Sequence, residues 1–338
     1  MLKMNSSTFP YHLTKYFADY LPNQLAASVN TIRSYRDTFV QMMEFYQKAY
    51  RIPPERLDYS SFSAQRTEEF LAWLEKERGI GTSTRNQRLA AIHAFFRYLQ
   101  YRDPAGFSQC AEVLSVPFKK VQTGAMNYMT LEETAFLFTL PDRNDDAQFR
   151  DLAILVVLYE SGARVQELLD LCPSHIRFGG TNTVTLHGKG NKTRHVPISA
   201  DVAKIIKSYM KRSKRVQPDE PLFVNRKNEK MTRAGIQYII DKYVDMAREL
   251  KPEYFRDRIT NHSFRHSKAM HLLEAGVNLV YIRDLLGHAS VLTTEIYARS
   301  NPKIKEEHLR KNSMSLAVDE KYSEAEKEDL ISWLKNNL

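Results

Sequence analysis

Apolar residues recur at intervals of three and four along much of the first hundred positions, the period of a helix with one buried face. Thr31 to Lys48 sets Ile32, Tyr35, Phe39, Met42, Met43 and Tyr46 on one side. Thr67 to Glu77 does the same with Phe70, Leu71, Trp73 and Leu74, and Thr84 to Tyr101 with Leu89, Ile92, Phe95, Phe96 and Leu99. The last of these is expected to stop at Asp103, because the residue ahead of Pro104 is pushed out of the α region. Residues 1–112 therefore read as a helical domain. From Val113 to Met129 the periodicity lapses and Pro117, Lys119, Lys120 and Gly124 intervene, the composition of an inter-domain linker.

A second domain is expected over 130–300. Thr130-Leu-Glu-Glu133 is a capping box, a hydroxyl followed three residues later by a carboxylate. Asp151 to Tyr159 is apolar nearly all round and predicts a buried helix that Gly162 interrupts. Three short β-like runs follow at 175–178, 183–186 and 193–196, and the last two flank His187-Gly-Lys-Gly-Asn-Lys192, which reads as a hairpin loop. Helical spacing returns over 200–214, 232–250, 263–275 and 280–286. Within the tail, 301–338, Ser323-Glu-Ala-Glu326 is another capping box. It precedes a stripe of Leu330, Ile331, Trp333, Leu334 and Leu338. The expected fold is mainly α with a small antiparallel β-sheet, without internal repeats or low-complexity segments.

Composition narrows the partners. A chain of 338 residues has room for two cores. No apolar run reaches the roughly 18 residues of a membrane span, and Met1-Leu-Lys-Met-Asn-Ser-Ser-Thr8 lacks the apolar centre of a signal peptide. No membrane partner is expected. A formal charge of +9 and a pI of about 9.3 favour a polyanion, nucleic acid ahead of an anionic membrane surface. The two cysteines, Cys110 and Cys172, form no Cys-x-x-Cys pair and read as reduced thiols of a cytoplasmic protein.

The candidate chemistry lies in five short runs of the second domain. They are Ser161-Gly-Ala-Arg164-Val-Gln-Glu167, His187-Gly-Lys189-Gly, Asn261-His262-Ser-Phe-Arg265-His266, Leu286-Gly-His288, and Thr294-Glu-Ile-Tyr297. Enzymes lower the barriers of reactions as slow as phosphodiester cleavage by about 23 kcal/mol or more. Guanidinium groups suit the non-bridging oxygens, because their planar fork binds two oxygens and stays charged, so Arg164 and Arg265 could clamp one phosphate. A tyrosine hydroxyl, with an ordinary pKa of about 10, becomes a nucleophile when cations lower that value and a base such as His262 takes its proton. Lys189, on a glycine-flanked loop, could protonate the leaving alkoxide, and His288 could donate to a phosphoryl oxygen. No cofactor and no metal are needed.

Taken singly, each residue has a plainer reading. A tyrosine on an amphipathic helix is ordinarily a core or rim residue. Arg164 and Glu167 can form a helical ion pair, Gly-Lys-Gly is a common turn, and His288 could end a helix. His262 and His266 have the spacing of metal ligands. No third ligand follows at a suitable distance, however, and no carboxylate lies between them as in His-Glu-x-x-His.

Their order resembles the tyrosine site-specific recombinases, also called phage-type integrases. Ser-Gly-Ala-Arg164-Val-Gln-Glu167-Leu is similar to the family's first arginine box, and His-Gly-Lys189-Gly-Asn-Lys-Thr-Arg-His-Val-Pro to its lysine hairpin. His262-Ser-Phe-Arg265-His resembles the His-x-x-Arg box, and Leu-Leu-Gly-His288 followed by Tyr297 the final box. The likeness is strong over about 130–300. Over 10–105 it rests on position and helical character alone. Ala163, Lys268 and Met270 depart from the usual residues without touching a catalytic position.

The resemblance implies an N-terminal helical core-binding (SAM-like) domain and an α+β catalytic domain. It implies phosphate binding by Arg164, Arg265 and His288, and leaving-group protonation by Lys189. His262 would assist proton transfer, Tyr297 would form a 3′-phosphotyrosyl bond, and Glu167 would support the site. The implied partners are double-stranded DNA sites and copies of the same chain, four protomers exchanging strands through a Holliday junction. The tail stripe would dock on a neighbour or on its own domain. A type IB topoisomerase and a non-catalytic DNA-binding regulator remain the alternatives. Further DNA contacts are expected from Thr84, Arg85 and Arg88 at the start of one helix, from Arg33, and from Arg233 at the start of another.

Overall fold

The computed structural model describes residues 8–121, 126–188, 192–215 and 217–288, together with Thr294, Tyr297 and Ser332. It divides into two units, Met1–Thr123 and Gly124–Leu338.

The first unit is helical. Helix α1 (Phe9–Lys15) runs on into a wide π-helical stretch, Tyr16–Gln24, which contains Pro22. Then come α2 (Val29–Tyr50), α3 (Ala64–Arg78), α4 (Thr82–Arg102) and α5 (Phe107–Ser115). The periodic segments all form helices, one to three residues longer at each end than the segments read from the sequence. Polar caps account for the added residues: Ser28 and Ser63 accept from the backbone amides of Thr31 and Arg66 and start α2 and α3. Helix α4 stops ahead of Pro104 as expected, and Asp103 accepts from the Ala105 amide and from the Tyr59 hydroxyl. The core is largely aromatic: Phe9, Tyr16, Phe39, Phe62, Phe95 and Phe96 are each at most 2% exposed and contact one another edge-on or stacked.

Helix α5 carries the helical unit past residue 112, where the linker was expected to have begun. Residues 107–115 carry only Cys110 and Val113 as fully buried positions, too few for a clear period, yet they form a helix. Val113 and Val116, placed by the sequence in a linker, close the first core.

The second unit begins with α6 (Leu131–Leu137), whose capping box forms: the Glu133 amide donates to Thr130 Oγ1 and the Thr130 amide to Glu133 Oε2. Helix α7 (Asp146–Ser161) is buried on nearly every side from Phe149 to Ser161. Helices α9 (Ala200–Arg212), α10 (Arg233–Leu250) and α11 (Asn261–Glu274) pack on it. The unit also holds the short α8 (Val165–Leu169) and α12 (Leu279–Leu286). Strands β1 (Ile176–Arg177), β2 (Thr183–His187) and β3 (Thr193–Pro197) form one antiparallel sheet in the order β1-β2-β3, with Val184 opposite Val196 and Leu186 opposite Arg194. Val184, Leu186 and Val196 point into the core and their neighbours outward, the alternation of a half-buried sheet. A mainly α chain with a small antiparallel sheet is what the pattern predicted. No helix among the described residues is long and apolar enough to cross a membrane.

Candidate active site

The sharp reversal between α7 and α8 places the first arginine. Gly162 ends α7 at φ +56°, a left-handed conformation that glycine adopts without cost to a Cβ. Arg164 follows in extended backbone as the N-cap of α8. Its amide donates to Glu167 Oε2 at 2.8 Å, its Nη1 donates to Glu167 Oε1 at 2.9 Å, and its Nη2 reaches the Gly287 carbonyl at 3.4 Å. Glu167 is buried and also receives both terminal nitrogens of Arg194, at 2.9 and 2.7 Å. Burial opposes its ionisation, but the bonds from Arg194 and from the Arg164 amide prevail and hold its pKa below the usual carboxylate value.

Arg265 comes from α11 and is 4% exposed. It donates to the carbonyls of Gly162 (2.7 Å) and Leu286 (2.5 Å), so the end of α7 and the end of α12 meet at one guanidinium. No carboxylate lies within ion-pair distance of it among the described residues. Burial, with Arg164 and Arg194 nearby, lowers its pKa to about 10, and it remains a cation at neutral pH. Arg164 and Arg194 thus share the buried carboxylate of Glu167, the Arg265 cation stands nearby without a carboxylate partner among the described residues, and this excess of positive charge favours an anion in the site.

His288 follows Gly287, which ends α12 at φ +64°. Its Nδ1 lies 3.0 Å from Thr294 Oγ1, and burial together with Arg265 and Arg164 depresses its pKa to about 4. The ring is therefore neutral at physiological pH and can donate a hydrogen bond without adding charge. It lies parallel to Tyr297, with ring centroids 6.4 Å apart. Tyr297 is 2% exposed, and its hydroxyl meets His266 Nδ1 at 3.0 Å. Burial raises the phenol's pKa, while Arg265 and Arg164 pull it down. The His266 pKa is lowered by burial and by His262 and Arg265, so a neutral ring faces the hydroxyl. A cavity of about 410 Å³ opens beside these groups, bordered by Arg164, Lys192 and Arg194, by the carboxylate of Asp284, and by Gly287 and His288.

The structure brings Arg164, Glu167, Arg265, His288 and Tyr297 together from four segments. His262 lies one helical turn before His266 on α11, with ring centroids 6.4 Å apart. Burial, Arg265 and Arg164 also lower its pKa. Lys189 lies outside the described residues. The loop that carries it is closed by the Gly188 amide donating to the Lys192 carbonyl at 2.8 Å, at the cavity edge.

Two residues of the site were not singled out from sequence. His266 was weighed only as a metal-ligand partner of His262, although its position directly after Arg265 was a usable signal. Arg194 shares the inward face of β3 with Val196, opposite Leu186, and a charged residue at an inward position of the alternation was the usable signal.

The expected DNA contacts divide. Arg33 is exposed on α2, and Thr84 is half-buried. Arg233 is exposed but bonded to Gln166 Oε1. Arg88 turns back to the Ser34 carbonyl and Thr38 Oγ1. Arg85 is corrected: it is 5% exposed, and its Nη1 donates to the Pro117 carbonyl, which leaves no face for a groove. The helix-start pattern does not say which side of α4 is covered, and the segment after α5 covers this one.

A tyrosine hydroxyl, neutral histidines and an arginine-rich pocket in a helical unit with one hairpin can bind a phosphate and set a nucleophile beside it, the equipment of a phosphoryl-transfer enzyme. Comparison with known proteins agrees. The Phage integrase family model matches residues 127–303, and that of the phage integrase N-terminal SAM-like domain matches residues 14–103. The chain belongs to the phage integrase family, the tyrosine recombinases, and is a DNA strand transferase of that family. It is 36% identical over 301 residues to a putative integrase/recombinase, y4rC, of Sinorhizobium fredii, covering 89% of this chain and 90% of that protein. It is 29% identical over 323 residues to tyrosine recombinase XerC of Syntrophus aciditrophicus, covering 88% and 99%. The fold matches the Tn1549 transposon integrase in complex with transposon right-end DNA, at a TM-score of 0.70 and 16% identity, over 89% of this chain and 99% of that one. XerH site-specific recombinase bound to its difH substrate matches at a TM-score of 0.67 and 22% identity, over 84% and 80%.

Proposed function

We propose that this protein recombines specific DNA sites by cutting one strand of each duplex through Tyr297 and rejoining it to a new partner. The observation that carries the reading is the Tyr297 hydroxyl, held on a neutral His266 in a site with Arg164, Arg194 and Arg265, of which the first two share the buried Glu167 carboxylate and the third has no carboxylate partner among the described residues. Arg164 and Arg265 bind the non-bridging oxygens of the scissile phosphate, and His288 donates to one of them. Tyr297 Oη attacks phosphorus as its proton passes to His266 Nδ1. The bond from phosphorus to the 5′ oxygen breaks, and Lys189 supplies the proton that the leaving oxygen needs. The product is a 3′-phosphotyrosyl link and a free 5′ hydroxyl. Attack by a 5′ hydroxyl from the second duplex reverses the steps and restores the phosphodiester without ATP, because the bond energy is kept in the ester.

His262, one turn before His266, would assist by relaying the proton onward. In the free chain the nucleophile is enclosed, so engaging a phosphate requires the contacts around Tyr297 to open when DNA binds. Four copies on two duplexes, with exchange through a Holliday junction, are the assembly that membership of the family implies. The tail stripe at 330–338 would supply contacts between copies. It lies outside the described residues, apart from Ser332. Arg33, Thr84, Arg88 and Arg233 are the candidate contacts to DNA outside the pocket, and action on the DNA of the cytoplasm, with a mobile element as one source of sites, completes the reading.

The test is a denaturing gel. The chain is incubated with a nicked duplex that it has itself selected from a randomised duplex pool, and the gel is probed for a covalent protein–DNA adduct. The adduct should form and should vanish in Tyr297→Phe; an adduct that survives that substitution sinks the assignment. Relaxation of a supercoiled plasmid without exchange between two sites would favour a topoisomerase instead.

A further inference from the structure

Arg194 holds three segments of the site together. It stands on β3, just beyond the loop that carries Lys189, and its side chain is 12% exposed. The guanidinium gives Nη1 to Glu167 Oε1 at 2.9 Å and Nη2 to Glu167 Oε2 at 2.7 Å, and Nε to the Leu285 carbonyl at 2.9 Å. One side chain thereby joins the hairpin, the start of α8 that bears Arg164, and the end of α12 that leads to His288. The fit is close at Gly287, where a Cβ would lie 3.1 Å from Arg194 Cδ and 3.2 Å from its Nη1.

A carboxylate offers about four lone-pair sites. At Glu167 four donors occupy them: the two terminal nitrogens of Arg194, the Arg164 amide and Arg164 Nη1. Arg164 is thus held by one side-chain nitrogen only, and its Nη2 makes just a long contact to the Gly287 carbonyl. Without Arg194, a buried carboxylate would be left half satisfied, with Arg164 as the adjacent cation. Such a group takes a bidentate arginine pair when one is in reach.

We infer that Arg194 is a positioning residue: by engaging both oxygens of Glu167 it keeps the Arg164 guanidinium free for the scissile phosphate. This rests on the reading of Arg164 as a phosphate ligand given above. Arg194 itself does not touch the reacting atoms. Lysine cannot replace it, since one ammonium cannot span two carboxylate oxygens and the Leu285 carbonyl in the planar geometry the guanidinium supplies.

The test measures the rate of covalent adduct formation on the self-selected nicked duplex at saturating protein, for the full chain, Arg194→Gln, Arg194→Lys, and each of these combined with Glu167→Gln. Both single variants should slow the adduct at least about tenfold, with a smaller change in affinity for the duplex. Adding Glu167→Gln, which removes the charge that captures Arg164, should recover part of the lost rate. A merely structural role predicts the opposite, because two changes in one packed cluster leave the double variants no faster than the single ones. That result, or an unchanged rate in Arg194→Gln, overturns the inference. Should Arg194→Gln lose its far-ultraviolet circular dichroism, the Arg194→Lys pair decides by the same criterion. A full chain that binds the duplex yet forms no adduct overturns the functional reading, and the inference with it.

Discussion

Substituting Gly162 by alanine tests how the chain turns from its central helix into the active site. Two penalties follow from the geometry. At φ +56° a Cβ is held in the left-handed region, which costs about 1–2 kcal/mol. That Cβ would also lie 2.9 Å from Leu286 Cδ2 and 3.4 Å from Leu285 Cδ2. Leu286 is fully buried, so its methyl has no room to retreat, and over-packing of this kind costs about 1–3 kcal/mol. The sum is about 2–5 kcal/mol. Gly276 serves as the control: it sits at φ +80° in the same unit, with nothing within 4 Å of an added Cβ, so Gly276→Ala should show the backbone penalty alone. Guanidinium titrations followed by circular dichroism should place Gly162→Ala about 1–3 kcal/mol below Gly276→Ala in the transition that both variants move. Two variants equal within about 0.5 kcal/mol would show that the Leu286 contact yields freely and that the overlap argument is wrong. Adduct formation should also fall in Gly162→Ala well below its unfolding temperature, because the carbonyl of residue 162 holds Arg265.

Four further outcomes follow. Tyr297→Phe should abolish the adduct, keep the affinity for DNA, and change stability by only about 1 kcal/mol, the worth of the bond to His266. The second unit should lose stability as pH falls from about 6.5 towards about 4: His288 is held neutral in the fold down to about 4 and the unfolded chain takes up its proton earlier, so a His288→Phe variant should show a shallower pH slope. With Tyr297 raised above its ordinary value, the adduct rate should climb through the alkaline range; a rate that is flat from neutral pH upward would show that proton loss from the phenol is not limiting. Arg85→Ala should destabilise the first unit by about 1–3 kcal/mol with little effect on DNA affinity, whereas a selective loss of affinity would return Arg85 to the DNA-contacting surface.

The sequence by itself determined the long helices, because their apolar stripes repeat over several turns and one or two polar caps suffice to end them. It also determined the hairpin, whose alternating strands flank a glycine-rich turn, and it put forward Arg164, Arg265, His288 and Tyr297 as candidates through the order of the short runs that carry them. Helix α5 was not legible, since nine residues with two fully buried positions do not establish a period. The direction in which a basic side chain turns was not legible either: Arg85 and Arg88 occupy one helix start, but what covers that helix comes from residues about thirty positions later for Arg85 and fifty positions earlier for Arg88. Only the tertiary structure decided that Tyr297 rests on His266, that Arg265 bridges the ends of two helices through their carbonyls, and that Arg194 shares Glu167 with Arg164. These are contacts between side chains and backbone groups far apart in the chain, and a local pattern holds no record of a partner that folding alone brings within hydrogen-bonding distance.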